Sequence, residues 1–290
     1  MELTSVQNKA VKKIVNYYIE NKEKFIYFNA PTGSGKTFMI ANVISEILNF
    51  NLAKNKKSIF IVFTLSQAEL PVQFDNKLKD YQKNLSTKFE SIYQDSPSNT
   101  NIKSPDNEFD IKYEGYDVLV FGTSSFGKNR KFSELGKFKA LIEELKNKGF
   151  EIIYIRDEAH IGDKRKNTND GLDEQKLVID EASFVIKMTA TPDFNNNGAN
   201  VFIKEKDLNN DDNNCYLLKT NHHWNINFES DIIDDDIILD TAIKTFKDIK
   251  NKYNIKSKES GKIINPAMLI QISSKNQFNE EIKESDKRID

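Results

Sequence analysis

The feature that most constrains the fold is a series of short apolar segments that are separated by stretches with helical periodicity. Because these segments do not alternate apolar and polar residues, both faces of each strand must be covered. Such strands, alternating with helices, predict an α/β fold with a parallel sheet and helices on both of its faces. The predicted strands are KFIYFN (24–29), SIFIVF (58–63), DVLVFG (117–122), EIIYI (151–155) and SFVIKM (183–188).

The helical segments fit between these strands. Apolar residues recur at helical spacing from Val6 to Tyr18, and Thr4 or Ser5 is suited to cap that helix. Further helices are predicted over residues 39–48, beginning at Lys36, over residues 133–148, ended by Gly149, and near residues 237–253.

Length and composition suggest two domains and exclude some classes of protein. The chain has 290 residues and a net charge of −2, so a nucleic-acid contact would need a local basic face. A single cysteine, Cys215, excludes a disulfide framework or a cysteine-based zinc site within one chain. No signal-peptide pattern and no apolar run of roughly 18 residues is present, so we expect a cytoplasmic protein without a membrane span.

The domain boundary is predicted from a long polar stretch of the sequence. The polar stretch at residues 193–214 predicts that a first domain covers 1–193 and that 194–290 form a linker and the beginning of a second α/β lobe. The segment PAMLIQI (266–272) resembles the opening strand of that lobe, and the sequence ends soon after it. We therefore expect the second lobe to be incomplete.

A glycine-rich loop follows the first strand. In APTGSGKT (30–37), the backbone N–H groups of Gly33 to Thr37 are suited to surround phosphate oxygens, because glycines allow close approach and positive φ. The start of the following helix adds its positive dipole end. Lys36 is then expected at the β- and γ-phosphates, and the Thr37 hydroxyl on Mg²⁺. The usual first glycine of this loop is Ala30 here. The predicted nucleotide-binding residues of the loop are Thr32, Gly33, Ser34, Gly35, Lys36 and Thr37.

An acidic pair follows the fourth predicted strand. EIIYIRDEAH (151–160) delivers Asp157 and Glu158 to the carboxyl end of a strand, where ligands of open parallel sheets gather. We expect this strand to neighbour that of the phosphate loop, with Asp157 holding Mg²⁺ and Glu158 acting as the general base for the attacking water. His222 and His223 are adjacent and have no third ligand in view, which favours structural roles.

Together these segments resemble a superfamily 2 helicase motor. APTGSGKT looks like its motif I, DEAH (157–160) like motif II and MTATP (188–192) like motif III. FTLSQAELPVQ (63–73) looks like motif Ia, and FGTSSFGK (121–128) like the threonine motif after the third strand. One departure is Arg156, because family strands usually stay apolar up to the aspartate.

The resemblance implies a RecA-like P-loop NTPase fold, ATP and Mg²⁺ as ligands, and DNA as a partner. It places Gln7 at the adenine-reading position and Thr64 and Thr123 at the phosphate backbone of nucleic acid. It also implies that His160, Thr189 and Thr191 couple hydrolysis to movement.

Within that superfamily, INPAMLIQISSK (264–275) is similar to the start of the second lobe in Res subunits of type III restriction enzymes. This narrower resemblance implies a restriction-modification system, with a nuclease further on and a modification methyltransferase as partner. Second lobes supply arginines to the γ-phosphate, so we expect residues 1–290 alone to bind ATP·Mg²⁺ but hydrolyse it slowly. Two alternatives stay open: another superfamily 2 ATPase, such as an RNA helicase or a remodeller, and a catalytically silent remnant that serves as a binding module.

Overall fold

The computed structural model describes residues 2–66, 69–95, 110–127, 130–157, 172–190, 199–209 and 235–261. Within these ranges the helices are α1 Ser5–Glu20, α2 Lys36–Ala53, α3 Leu70–Tyr81, α4 Lys131–Glu134, α5 Lys137–Asn147, α6 Leu172–Glu181, α7 Glu205–Asn209 and α8 Asp235–Ser260. The strands are β1 Phe25–Asn29, β2 Lys57–Thr64, β3 Ser91–Gln94, β4 Val118–Gly122, β5 Phe150–Arg156, β6 Phe184–Thr189 and β7 Ala199–Phe202.

The strands form one parallel sheet in the order β3-β4-β2-β5-β6-β1-β7. The predicted α/β class is therefore confirmed, and all five predicted strands are present. Two strands were not predicted, β3 and β7, and they form the two edges of the sheet. Both are four residues long and mix polar with apolar side chains, so neither gives the signal of a strand that is buried on both faces.

The sheet separates two hydrophobic cores. Along β2, Phe60 and Val62 belong to one core, whereas Ile59, Ile61 and Phe63 belong to the other. Helices α1 and α2, with Phe74 and Leu78 of α3, fill the first core. Helix α5 and Val178 of α6 pack into the second. Side chains of a strand point alternately to opposite faces, so this division explains why the strand sequences are apolar at every position.

The predicted helices are present with adjusted bounds. Thr4 caps α1 in a capping box, in which its side chain accepts from the backbone of Gln7 and the Gln7 side chain accepts from the backbone of Thr4. The helix expected over residues 133–148 is two helices, because Gly136 adopts φ +63° between α4 and α5. Gly149, at φ +75°, follows the end of α5 as predicted.

The chain divides into two compact units, Met1–Asn221 and His222–Asp290. In the first unit the sheet continues past residue 193, the predicted domain edge, because β7 pairs with β1. In the second unit the structure describes α8, which contains the helix predicted near residues 237–253. Residues 264–275, which carry the resemblance to a second lobe, lie outside the described residues. None of the helices that the structure describes combines the length and apolar character needed to cross a membrane.

Candidate nucleotide-binding site

The loop between β1 and α2 has the backbone shape that its glycines predict. Gly33 has φ +83° and Gly35 has φ +80°, a conformation that side-chain-bearing residues rarely adopt. Gly35 is the N-cap of α2, and it brings no side-chain hydrogen bond to the end of that helix. The first N–H groups of α2 therefore receive no side-chain cap from the N-cap residue, and they carry the positive end of the helix dipole.

The lysine of the loop reaches back across it. The Nζ of Lys36 donates to the carbonyl oxygens of Ala30 at 3.0 Å and of Pro31 at 3.3 Å. Lys36 is half-buried, as is Thr37, so both keep accessible surface at the loop. The ammonium group of Lys36 thus lies at the start of the loop, although its Cα belongs to α2.

The other predicted loop residues differ in exposure. Thr32 and Gly33 are exposed, whereas Ser34 is fully buried. Among the described residues, the Ser34 hydroxyl has no hydrogen-bond partner. The Ser34 backbone is engaged as well, since its N–H donates to the carbonyl oxygen of Pro31 at 3.2 Å and its carbonyl oxygen accepts from Gln7 at 2.8 Å.

Gln7 contacts this loop directly from α1. Its Nε2 donates to the carbonyl oxygen of Ser34 at 2.8 Å, and its Oε1 accepts from the backbone N–H of Thr4 at 2.9 Å. The residue is 3% exposed. Gln7, which the resemblance places at the adenine-reading position, thus contacts the phosphate loop, and its amide is engaged with protein groups at both ends.

Strand β6 is also joined to the loop. The backbone N–H of Ala30 donates to the carbonyl oxygen of Thr189 at 3.2 Å. Thr189 is the last residue of β6 and is 5% exposed. The segment predicted as motif III therefore begins next to the start of the phosphate loop, while its second threonine, Thr191, lies outside the described residues.

Asp157 lies at the same edge of the sheet but not on the neighbouring strand. Strand β6 lies between β5 and β1, which corrects the expectation that the two strands would be adjacent. The backbone N–H of Asp157 donates to the carbonyl oxygen of Phe63 at 2.9 Å, which fixes this residue directly after β5. Since all strands are parallel, Asp157 and the loop both follow carboxyl ends of strands.

Two further residues of this segment were predicted to act in catalysis or coupling, Glu158 and His160, and both lie outside the described residues. Arg156, the departure from the family pattern, is the last residue of β5 and is 5% exposed. It pairs in register with Phe63 of β2 and Lys187 of β6, so the strand stays regular through the arginine.

The two residues predicted to contact nucleic acid, Thr64 and Thr123, differ in their exposure. Thr64, at the end of β2, is 1% exposed, so its side chain presents almost no surface to a phosphate, and the structure does not support that contact. Thr123 is half-buried and begins a short 3-10 turn directly after β4.

Ser66, which was not predicted as a site residue, holds this turn. Its Oγ accepts from the backbone N–H of Ser124 at 2.7 Å. A Cβ at residue 122 would lie 2.5 Å from the same Oγ, so Gly122 is required for this close approach. Ser66 is the single serine of residues 63–73, and its pairing with the turn after β4 is a tertiary contact that the sequence does not indicate.

Neither Cys215 nor the pair His222 and His223 falls within the described residues. Within the part of the chain that is described, no group of three or more histidine, cysteine, aspartate or glutamate side chains forms a candidate metal cage.

Several solved helicase structures are similar to this chain at low sequence identity. The chain is similar to the DEAD-box helicase Mss116 bound to ssRNA and UDP-BeF, with 18% identity and a TM-score of 0.45, over 66% of this chain and 36% of that one. It is also similar to S. cerevisiae Dbp5 bound to Nup159, Gle1, IP6 and ADP, with 15% identity and a TM-score of 0.42, over 72% and 50% of the two chains.

A third similar structure is a nuclease-deletion mutant of the Type ISP restriction-modification enzyme LlaGI in complex with a DNA substrate mimic. It has 16% identity and a TM-score of 0.36, over 90% of this chain and 24% of that one. The chain thus spans half or less of each of these three relatives. A search of curated protein sequences found no match.

The parallel sheet, with a glycine loop between β1 and α2, defines a RecA-like P-loop NTPase lobe. More narrowly, a family model described as "Type III restriction enzyme, res subunit" matches residues 1–194, and the chain belongs to this family.

Proposed function

We propose that this chain is the ATP-binding and ATP-hydrolysing motor lobe of a DNA translocase, the restriction (Res) subunit of a type III restriction-modification system. The observation that carries the proposal is the loop geometry: two glycines at positive φ, and a lysine whose ammonium group lies across the loop. Backbone N–H groups in such a loop, together with a helix N-terminus, favour a polyphosphate over other ligands.

Mg²⁺ fits the oxygen groups that this edge of the sheet offers. Mg²⁺ is usually held by one or two carboxylates together with phosphates and waters rather than by an all-protein cage. We assign the Thr37 hydroxyl and the Asp157 carboxylate as its protein ligands.

The roles of the other predicted site residues follow from this assignment of the nucleotide and of Mg²⁺. Lys36 stabilises charge on the β- and γ-phosphates, and Glu158 accepts the proton of the attacking water. Bound ATP supplies the phosphoanhydride bond whose hydrolysis drives movement. Three residues pass the state of the site to the rest of the motor, namely His160, Thr189 and Thr191.

For nucleic acid, we propose contact with the phosphate backbone of duplex DNA through Thr123 and the exposed turn around Ser124. Hydroxyl and amide groups hold a backbone without reading sequence. Binding is therefore expected to be independent of sequence and to weaken as salt rises. A modification methyltransferase subunit is the proposed protein partner.

The test of the nucleotide site is calorimetric titration of the chain with ATP in the presence of Mg²⁺. Lys36→Ala should weaken binding at least about tenfold, because a hydrogen bond to a charged group contributes about 1.5–3 kcal/mol. The melting temperature should change little, since Lys36 is half-buried at the loop. Lys54→Ala, at the other end of α2, is the matched control and should bind like the wild type.

The titration with ATP also helps to distinguish the motor lobe of a DNA translocase from the two alternative functions. A folded wild type that does not bind ATP would favour the silent binding module. For a protein that binds ATP, fluorescence anisotropy with duplex DNA and with RNA of the same sequence distinguishes a DNA translocase from an RNA helicase. Tighter binding to RNA at equal salt would contradict the assignment to DNA.

A further inference from the structure

A groove lies between α1 and the carboxyl end of β7, where α7 begins. Its volume is about 590 Å³. Three exposed lysines line it, Lys9 and Lys13 from α1 and Lys206 from α7. Buried apolar residues also line the groove, namely Ala10, Val201 and Ile203. The groove therefore combines an apolar lining with positive charge from both of the helices that border it.

The charges along this groove are not balanced. Among the described residues that line it, Asp207 is the one acid, and its carboxylate accepts from the backbone N–H of Lys204 at 3.1 Å. None of the three lysines forms an ion pair with another residue that the structure describes. A cleft that carries one sign of charge between apolar walls focuses its potential and attracts ions of the opposite sign. The groove is therefore suited to an anionic ligand.

The strand beside the groove is guarded against pairing with a further strand. β7 is a terminal strand of the described sheet, and the N–H of Ile203 donates to the carbonyl oxygen of Asn29 on β1 at 2.9 Å. Because successive residues of a strand direct their backbone groups to opposite sides, the carbonyl of Asn200 points to the outer edge. The Nζ of Lys13 donates to this carbonyl at 3.1 Å, and lysines at a sheet edge disfavour pairing with another chain. An ammonium group has three N–H donors, so Lys13 keeps two for a ligand that is bound by its charge.

The groove is separate from the two sites already described. Gln7 contacts the phosphate loop, whereas Lys9 and Lys13 lie on another side of α1, because each helical residue turns by about 100°. The turn around Ser124, the proposed DNA contact, follows β4, and four strands lie between β4 and β7. At about 4.8 Å per strand, the two edges are roughly 24 Å apart.

We propose that this groove binds the phosphate backbone of nucleic acid, with duplex DNA as the ligand. Lys9 and Lys13 are four residues apart, which is about 6 Å along the helix axis and comparable to the distance between neighbouring phosphates of a strand. Lys206 adds a third charge from α7. Lysines bind phosphates as point charges and do not read bases in this way. In a chain of net charge −2, the groove supplies the local basic face that DNA binding requires.

The inference goes beyond the proposed function, because the groove needs no nucleotide and adds a second surface to the DNA contact at Thr123. It is tested by the salt dependence of binding to a short fluorescent duplex, measured by anisotropy without ATP. Each lost phosphate contact lowers the slope of log K against log salt concentration by about 0.9. The double variant Lys9→Gln, Lys13→Gln should therefore lower this slope by about 2, and Lys206→Gln by about 1. A double variant with the slope of the wild type would overturn the inference.

Lys12 provides a matched control on the same helix. It is exposed but does not line the groove. Burial raises the pKa of Glu46 on α2, and the charge of Lys12 opposes this rise, so Lys12 acts towards α2. Lys12→Gln should leave the slope unchanged. An equal loss of slope in Lys12→Gln would show that binding responds to net charge alone, and it would overturn the inference.

A second control keeps the charge of the groove. Lys13→Gln also removes the bond to the Asn200 carbonyl, so the melting temperature of each variant is measured in parallel. The double variant Lys9→Arg, Lys13→Arg should retain the slope of the wild type. Loss of the slope in this arginine variant would show that the positive charge is not the cause, and it would contradict the inference.

Competition with polyglutamate distinguishes nucleic acid from an acidic protein. DNA of equal charge should displace a bound duplex more effectively than polyglutamate does, and the reverse order would overturn the inference in favour of an acidic protein partner. Calorimetry with ATP separates this inference from the nucleotide site, since the double glutamine variant should bind ATP like the wild type. A wild type that binds ATP but no duplex would refute the groove and leave the nucleotide site in place.

Discussion

The backbone N–H of Asp157 donates to the carbonyl oxygen of Phe63 at 2.9 Å, which ties the predicted magnesium ligand to the end of β2. This contact uses the backbone only, so the carboxylate can be changed without losing it. Phe63 is itself fully buried in an aromatic cluster, with its ring stacked on Phe126 at 4.8 Å. The position of Asp157 therefore depends on the packing of this buried aromatic cluster.

We expect Asp157→Asn to remove most of the effect of Mg²⁺ on ATP binding. The amide keeps the size of the side chain but loses the charge that a hard cation prefers. Titrations with ATP in Mg²⁺ and in EDTA should differ strongly for the wild type and little for the variant. Asp110→Asn, at an exposed ion pair with Lys137, is the control, and an Mg²⁺ effect retained in Asp157→Asn would remove this residue from the metal site.

Two glycines with the same backbone conformation allow a matched comparison. Gly35 has φ +80° and Gly115 has φ +81°, but a Cβ at Gly35 would meet Gln7 whereas a Cβ at Gly115 would meet nothing within 4 Å. Each alanine substitution should lower the free energy of unfolding by about 1–2 kcal/mol for the left-handed conformation. Only Gly35→Ala should also weaken ATP binding.

Urea unfolding and calorimetry measure the two effects separately. Equal ATP affinity in Gly35→Ala and Gly115→Ala would mean that the packing of the loop against Gln7 does not matter for binding.

The pH dependence of stability can be followed at Asp117. Burial raises the pKa of this carboxyl above its usual range, and the hydrogen bond from the Glu90 N–H opposes the rise only in part. The folded state then binds the proton more tightly than the unfolded state, so the charged carboxylate lowers stability as pH rises through the folded-state pKa.

Asp117→Asn should therefore raise the melting temperature at pH 7. This gain should shrink as pH falls through the raised folded-state pKa of Asp117 and be lost below about 3.9, the usual aspartate pKa. The exposed Asp80→Asn, measured in parallel, controls for the removal of a surface carboxylate. A gain that stays constant with pH would show that the charge of Asp117 is not its cause.

Much of the fold could be predicted because buried parallel strands have a simple signature. β1, β2 and β4 to β6 are apolar on both faces, and each is followed or preceded by a helical pattern. The edge strands β3 and β7 are covered less completely and lack that signature. Helix α3 begins after Glu69, at φ +57°, and carries Pro71 in its first turn, a start that the helical pattern alone does not indicate.

The site could be predicted only in part. Lys36 and Asp157 could be predicted as site residues because ligands gather at the carboxyl ends of parallel strands. This prediction depends only loosely on the order of the strands in the sheet. The partners of Gln7 could not be predicted, because its bond to the Ser34 carbonyl spans 27 residues and uses a backbone group. The burial of Thr64 could not be predicted from the sequence either, since threonine is common both at surfaces and at strand ends.

The central claim is that Lys36 and Asp157 act on one triphosphate and one magnesium ion. Anomalous diffraction from crystals of the chain with a non-hydrolysable ATP analogue and Mn²⁺ tests it most directly. We predict one manganese peak at the nucleotide phosphates, within coordination distance of the Thr37 hydroxyl and bound to Asp157 directly or through one water, with the Lys36 ammonium on the same phosphates. A nucleotide bound away from the loop, or a manganese ion that neither Thr37 nor Asp157 approaches, would contradict the account.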